Sequence, residues 1–123
     1  MKKSILSIFL LLFSCLLVAQ DKSVVDNNDP PTFYFYAVMY GFNNDVYVSE
    51  IYDLEIERST LFKETDQRLE KISQYLVDEN IVSDVQTGYE KNYYKKDQAQ
   101  NERNYIIEQL EYQKFKVFKF NYQ

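Results

Sequence analysis

The 123-residue chain reads as an α+β fold, a two-layer sandwich with two helices on one face of a mostly antiparallel sheet, in the order β-β-α-β-α-β. Three observations carry this. Residues 33–40 and 46–56 alternate at period two about a polar turn, as strands do. Residues 59–80 and 98–112 repeat their apolar side chains at three- and four-residue spacing, as helices do. Each helix has a single apolar stripe, so it packs by one side only and leaves the other to water.

Residues 32–56, the first two strands with the turn between them, hold eight of the 21 aromatic residues. The turn Gly41-Phe42-Asn43-Asn44-Asp45 has the residue types a five-residue hairpin connection demands. Pairing Tyr40 with Val46 places Phe33, Phe35, Ala37, Met39, Tyr47, Ser49 and Ile51 on one face. The other face carries Tyr34, Tyr36, Val38, Tyr40, Val46, Val48, Glu50 and Tyr52. The first set carries no charge and is assigned to the core. The second, amphipathic and holding Glu50, is assigned outward; a one-residue slip would exchange the two.

Helix 59–80 has its stripe in Leu61, Phe62, Thr65, Leu69, Ile72 and Leu76, with Ser59 or Thr60 as its cap. Glu64 and Arg68 stand four apart in the order favourable for a surface ion pair. Residues 82–90 alternate weakly and read as a third strand. Asp97 with Gln100 resembles a capping box for the second helix, whose stripe is Ala99, Ile106 and Leu110, with Ile107 beside it. Residues 114–122 (KFKVFKFNY) close the sheet. Their parity slips between Val117 and Phe118, which signals either a bulge or burial of both faces.

Upstream of the domain, MKKSILSIFLLLFSCLLVAQ has a basic start, an apolar run too short to span a bilayer, and small residues at its end. Residues 1–19 therefore read as a secretory signal peptide, residues 20–31 as a flexible leader and residues 32–123 as one domain. The protein is expected in the periplasm or outside the cell. The Leu12-Phe13-Ser14-Cys15 run loosely resembles a lipobox, so lipidation at Cys15 is the alternative anchorage. The Asp26-Asn27-Asn28-Asp29 cluster lacks the turn glycine and closing acid of a calcium loop and is read as linker.

Cleavage after residue 19 removes Cys15, Lys2 and Lys3, leaving 12 basic and 19 acidic residues, a net of −7. That balance argues against nucleic acid as a partner. A chain then without Cys, His or Trp lacks the common nucleophile–base pairs of hydrolases and the usual zinc or copper ligands, so no cofactor and no metal is expected. The carboxylates Glu50, Asp53, Glu55 and Glu57 are the one chemical grouping left. On an exposed strand they read as solubilising charge that guards an edge. Charge is also uneven: residues 20–57 hold eight acids and one lysine, whereas 91–119 hold seven basic residues and four acids.

The strand–helix–strand run at 83–122, with Asp97-Gln98-Ala99, Glu102-Arg103 and Phe115-Lys116-Val117-Phe118, resembles the second half of a SPOR domain. That family is a ferredoxin-like module that binds denuded peptidoglycan. The first half departs from its pattern, because a hairpin precedes the first helix, and no binding residue carries over. The signal also resembles those of short exported Bacteroidota-type proteins. The expected function is a non-catalytic, exported envelope binding module that contacts a protein or cell-wall glycan. Its expected contact residues are Tyr34, Tyr36, Tyr40 and Tyr52 on an open sheet face, with Glu50 beside them. The alternatives are an inhibitor or immunity-type protein that blocks an enzyme by its acidic strand, and a small glycan hydrolase using a carboxylate pair.

Overall fold

The computed structural model describes residues 29–122, and Pro31–Gln123 forms one compact unit. The expected signal peptide, Cys15 and nearly all of the leader lie outside the described residues. The elements are β1 (Thr32–Tyr40), β2 (Asp45–Ser49), β3 (Tyr52–Glu55), α1 (Thr65–Asp78), β4 (Thr87–Tyr93), α2 (Lys96–Tyr112) and β5 (Lys116–Phe120). The α+β class and the mostly antiparallel sheet are as expected; the single parallel pair is β2 with β5.

The turn 41–45 forms as anticipated, and Tyr40 pairs with Val46. Asn43 and Asn44 both adopt positive φ, which asparagine tolerates better than any residue but glycine. The Gly41 N–H donates to the Asp45 carbonyl at 2.9 Å, and the Asp45 N–H to that of Phe42 at 3.1 Å.

Strand β1 is the spine of the sheet. β4 pairs with one side of it over Tyr34–Tyr40. The other side is shared: β2 pairs with its C-terminal half and β3 with its N-terminal half. The expected single strand over 46–56 is thus broken. Val38 pairs with Val48, but Phe35 pairs with Tyr52 rather than with Ile51. One extra residue has entered the chain between β2 and β3, which is the definition of a bulge.

Side-chain chemistry holds that bulge open. The Ser49 hydroxyl accepts the Ala37 N–H at 2.8 Å, standing in for a backbone carbonyl. The Ser49 carbonyl, freed from the ladder, accepts Nε–H of Arg103 at 2.6 Å. Arg103 lies on α2, is only 4% exposed, and reaches Glu50 with Nη2 at 3.2 Å.

The two helices were expected on one face; they lie on opposite faces, making three layers. Phe33, Phe35, Ala37, Met39, Tyr47, Tyr52 and Phe120 form a core with Ile72 and Leu76 of α1. Tyr36, Val38, Val46 and Val48 form a second core with Ile107 and Leu110 of α2. The reason is the handedness of strand–helix–strand crossovers. β3, β4 and β5 are mutually parallel, since β3, β4 and β2 each run antiparallel to β1 and β5 follows β2. The path β3–α1–β4 crosses the sheet in one direction and β4–α2–β5 crosses back. Two crossovers of the same hand in opposite directions must use opposite faces.

The remaining differences are local. The helix expected from residue 59 begins at Thr65, because the Leu61 carbonyl is taken by Nη2 of Arg68 instead of by a helical N–H. The third strand lies at Thr87–Tyr93, set by the reach of β1; Val82 and Val85 pack against the α1-side core as loop residues. Arg103, not Ile106, fills the buried stripe of α2 with Ala99, Ile107 and Leu110. In β5 both faces are used: Val117 joins the α2-side core, while Phe118 stacks on Tyr47 at 5.3 Å on the other side. Both helices end with a non-glycine residue at positive φ, Asn80 and Lys114. The next N–H donates back to Leu76 and Leu110 respectively, at 3.0 Å each.

Replacing Ser49 by Ala strands the Ala37 N–H in the sheet interior. The expected cost is about 1–3 kcal/mol, read by chemical denaturation, with faster hydrogen exchange at Ala37 than in the parent. An unchanged stability would mean the bulge does not rely on this hydroxyl.

Candidate functional site

The tyrosine face expected to be open is not open. Tyr36 is 1% exposed beneath α2, and its ring stacks on that of Tyr93 at 6.2 Å. Tyr40 is half-buried between Phe115 at 5.9 Å and Tyr89 at 6.4 Å. Tyr34 is half-buried. Tyr52, expected with them, sits 4% exposed in the opposite core and stacks on Phe35 at 5.4 Å. The bulge is responsible: the extra residue reverses the parity of β3. Glu50 is half-exposed at the bulge and tied to Arg103. The five expected contact residues are therefore split between two faces, and no common surface gathers them.

A different set of groups comes together on the α1 side. A cavity of about 330 Å³ lies between β3 and α1, lined by Tyr52, Leu54, Glu55, Ile56, Glu64, Arg68, Lys71, Ile72 and Tyr122. Its apolar walls follow from local sequence. Tyr52, Leu54 and Ile56 alternate along β3 and its exit, and Arg68 and Ile72 lie one helical turn apart. Glu55, Glu64 and Lys71 are exposed and surround the opening.

Arg68 dominates the floor. Nε donates to both carboxylate oxygens of Glu90, at 3.0 and 3.1 Å, and Nη2 donates to Oε1 at 2.5 Å. The two side chains are 12% and 3% exposed. Nη2 also donates to the Leu61 carbonyl and lies 3.3 Å from the Thr65 hydroxyl. The guanidinium stands 5.3 Å from the centre of the Phe35 ring. Nη1 is left over: it is buried and donates to nothing. The Tyr52 hydroxyl is likewise buried and makes no hydrogen bond of ordinary length, with the Glu90 carboxylate its polar neighbour. These are the two such side-chain atoms among the described residues, and both belong to residues lining one cavity.

Burial raises Tyr52 well above the ordinary tyrosine range, and the nearby Glu90 carboxylate adds to this by its charge and as a weak hydrogen-bond acceptor, against the opposing effect of Arg68. The phenol is thus neutral at any physiological pH and offers an O–H donor. Loss of water also raises Tyr36, with the Tyr93 hydroxyl beside it reinforcing the effect. Tyr47 and Tyr89 are raised for the same first reason.

Among the described residues no group of three or more acidic, His or Cys side chains is arranged to hold a metal. No helix among them is long and apolar enough to cross a membrane. Comparison with protein-family models, with curated proteins and with solved structures returns no match for this chain.

Arg68 was legible only as half of a surface pair with Glu64. The signal for its inward role was its position four residues before Ile72 on the buried stripe. Arg103 gave the same kind of signal, four residues from both Ala99 and Ile107.

Two outcomes follow from these charges. Glu90→Gln leaves the Arg68 guanidinium buried without its counter-charge, and unfolding free energy should fall by about 3–5 kcal/mol in urea titration. Replacing both residues by apolar ones of similar size should restore much of the loss. In alkali, four of the 12 tyrosines should ionise late by ultraviolet tyrosinate absorbance. Their folded values lie above the reference of 10.0, so their stabilising effect is complete below pH 10.0 and is lost as pH rises beyond it. Unfolding and the late ionisation should coincide. Tyr36→Phe should reduce the late absorbance and flatten the decline.

Proposed function

We propose that this chain is a non-catalytic binding module, exported to the cell envelope by its N-terminal segment, and that its ligand occupies the cavity between β3 and α1. The observation that carries the reading is that the two residues with unpartnered buried donors, Tyr52 (Oη–H) and Arg68 (Nη1), both line one cavity. Leaving a buried polar group unpaired costs about 1–3 kcal/mol, and a ligand oxygen entering between β3 and α1 would offset that cost. Apolar walls with a few convergent polar groups are the usual make-up of a ligand site. Of the tyrosines expected to supply the contact, Tyr52 is the one that lines this cavity; Tyr122, outside that set, joins it with its ring edge-on to Tyr52 at 5.5 Å.

Tyr52→Phe separates a binding role from a structural one. Its hydroxyl makes no hydrogen bond of ordinary length among the described residues, so the variant should be at least as stable as the parent. Small oxygen-bearing probes, namely an acetylated amino-acid amide, a monosaccharide and a short carboxylate, are titrated against the NMR signals of Tyr52, Arg68 and Ile72. At least one class should shift them saturably, and Tyr52→Phe should weaken it about tenfold, the worth of one buried hydrogen bond. No saturable shift from any probe, or shifts indifferent to the substitution, would remove the basis for this reading.

A further inference from the structure

The cavity adjoins an unpaired strand edge. The Ile56 N–H donates to the Pro31 carbonyl, so in the β1–β3 ladder residues 52, 54 and 56 turn their backbone groups toward β1. Asp53 and Glu55 therefore turn theirs outward. The strand that could have met them is β5, which stops short. Its last residue pairs with Ser49, and the Glu50 N–H donates to the Phe120 carbonyl at 2.8 Å. The chain then leaves the sheet: the Asn121 carbonyl accepts the Tyr75 hydroxyl at 2.7 Å, and the Tyr122 ring packs on Tyr75 and Tyr52. Among the described residues β3 has one strand neighbour, β1.

Resting on the binding reading above, we infer that the ligand is an extended peptide with basic residues, which adds as a strand to the free edge of β3 and sets an apolar side chain into the cavity. The backbone edge supplies two residues' worth of donors and acceptors at Asp53 and Glu55. Leu54, Ile56 and Ile72 receive the apolar side chain. The unpartnered donors of Arg68 and Tyr52 are the groups on this wall that a peptide carbonyl oxygen would satisfy. That acceptor is neutral, because Glu90 already balances Arg68 and a further buried carboxylate would go uncompensated. Charge selects the partner. Asp53, Glu55, Glu57 and Glu64 are exposed around the edge, against Lys71 and Arg58. Strand addition of this kind draws affinity from the main chain and specificity from alternate side chains.

The test uses a capped heptapeptide of alternating lysine and valine, titrated into the purified chain and followed by amide NMR. The peptide should slow hydrogen exchange at Asp53 and Glu55 and shift Tyr52 and Ile72. N-methylation of its edge-facing amides, or glutamate in place of lysine, should each weaken it at least about tenfold. Glu55→Pro removes the outward N–H, which an edge strand tolerates, together with the Glu55 carboxylate; measured against Glu55→Gln, which removes the charge alone, it should weaken the peptide further while keeping a dispersed spectrum. Binding that survives both N-methylation and Glu55→Pro overturns the strand addition. If the peptide fails while the small probes still shift Tyr52 and Arg68, this inference falls and the binding site stands. If neither acts, both fall.

Discussion

The bulge between Ser49 and Tyr52 is the constraint on which the rest of the arrangement depends. A regular hairpin strand would have continued β2 along β1 and carried Tyr52 into the α2-side core with Val46 and Val48. The inserted residue reverses that parity and sends Tyr52 to the α1 side. An extra residue in a buried ladder leaves backbone groups to be satisfied, and here two side chains do it. Ser49 supplies the missing acceptor, and Arg103 supplies a donor for the carbonyl displaced. The bulge, helix α2 and the outer end of β2 are thereby one unit, because a buried guanidinium needs all of its acceptors to be worth its desolvation.

The second consequence is topological. The crossovers run in opposite directions over the same spine strand, so a common hand divides the helices between faces. Every tyrosine of the central strand is then at least partly enclosed. Tyrosine serves in such a core because its ring packs like phenylalanine while its hydroxyl finds a polar neighbour at the layer's margin. Tyr36 beside Tyr93 and Tyr75 against the Asn121 carbonyl are of this type. Tyr52 is the exception, a hydroxyl enclosed near the Glu90 carboxylate without a hydrogen bond of ordinary length, and it stands beside the cavity.

Much of the fold was legible because it is locally encoded. The asparagine turn and the Tyr40–Val46 register depend on residues within a few positions of one another, and so do the two helices. The faces could not be read in the same way. Periodicity distinguishes in from out only when a sheet has one dry side, and here Phe33 and Tyr36 are both dry. The bulge is set by Arg103, 54 positions from the carbonyl it holds, and no local pattern reports that. The candidate site was obscured for a related reason. Arg68 and Arg103 occupy core positions of amphipathic helices, where a charged residue is ordinarily taken as a break in the stripe. An arginine falling on an apolar stripe is better read as a question about its buried partner.

The free edge of β3 presents a general hazard, since exposed strand edges recruit copies of themselves. This one carries Asp53 and Glu55 with Glu57 just beyond. Two copies meeting edge to edge would bring like charges into opposition, which is unfavourable across a strand pair. The same acids do nothing to oppose a strand of opposite charge. A protein that simply needed to silence this edge had simpler means within its own sequence: β5 ends opposite Ser49, where the bulge begins, and continuing it would have covered β3. Instead the chain turns away, held by Tyr75, and leaves beside the edge a cavity lined by the two residues whose buried donors are unsatisfied. An edge closed to itself, open to basic partners and adjoined by a polar-floored pocket has the physical features of a docking strand.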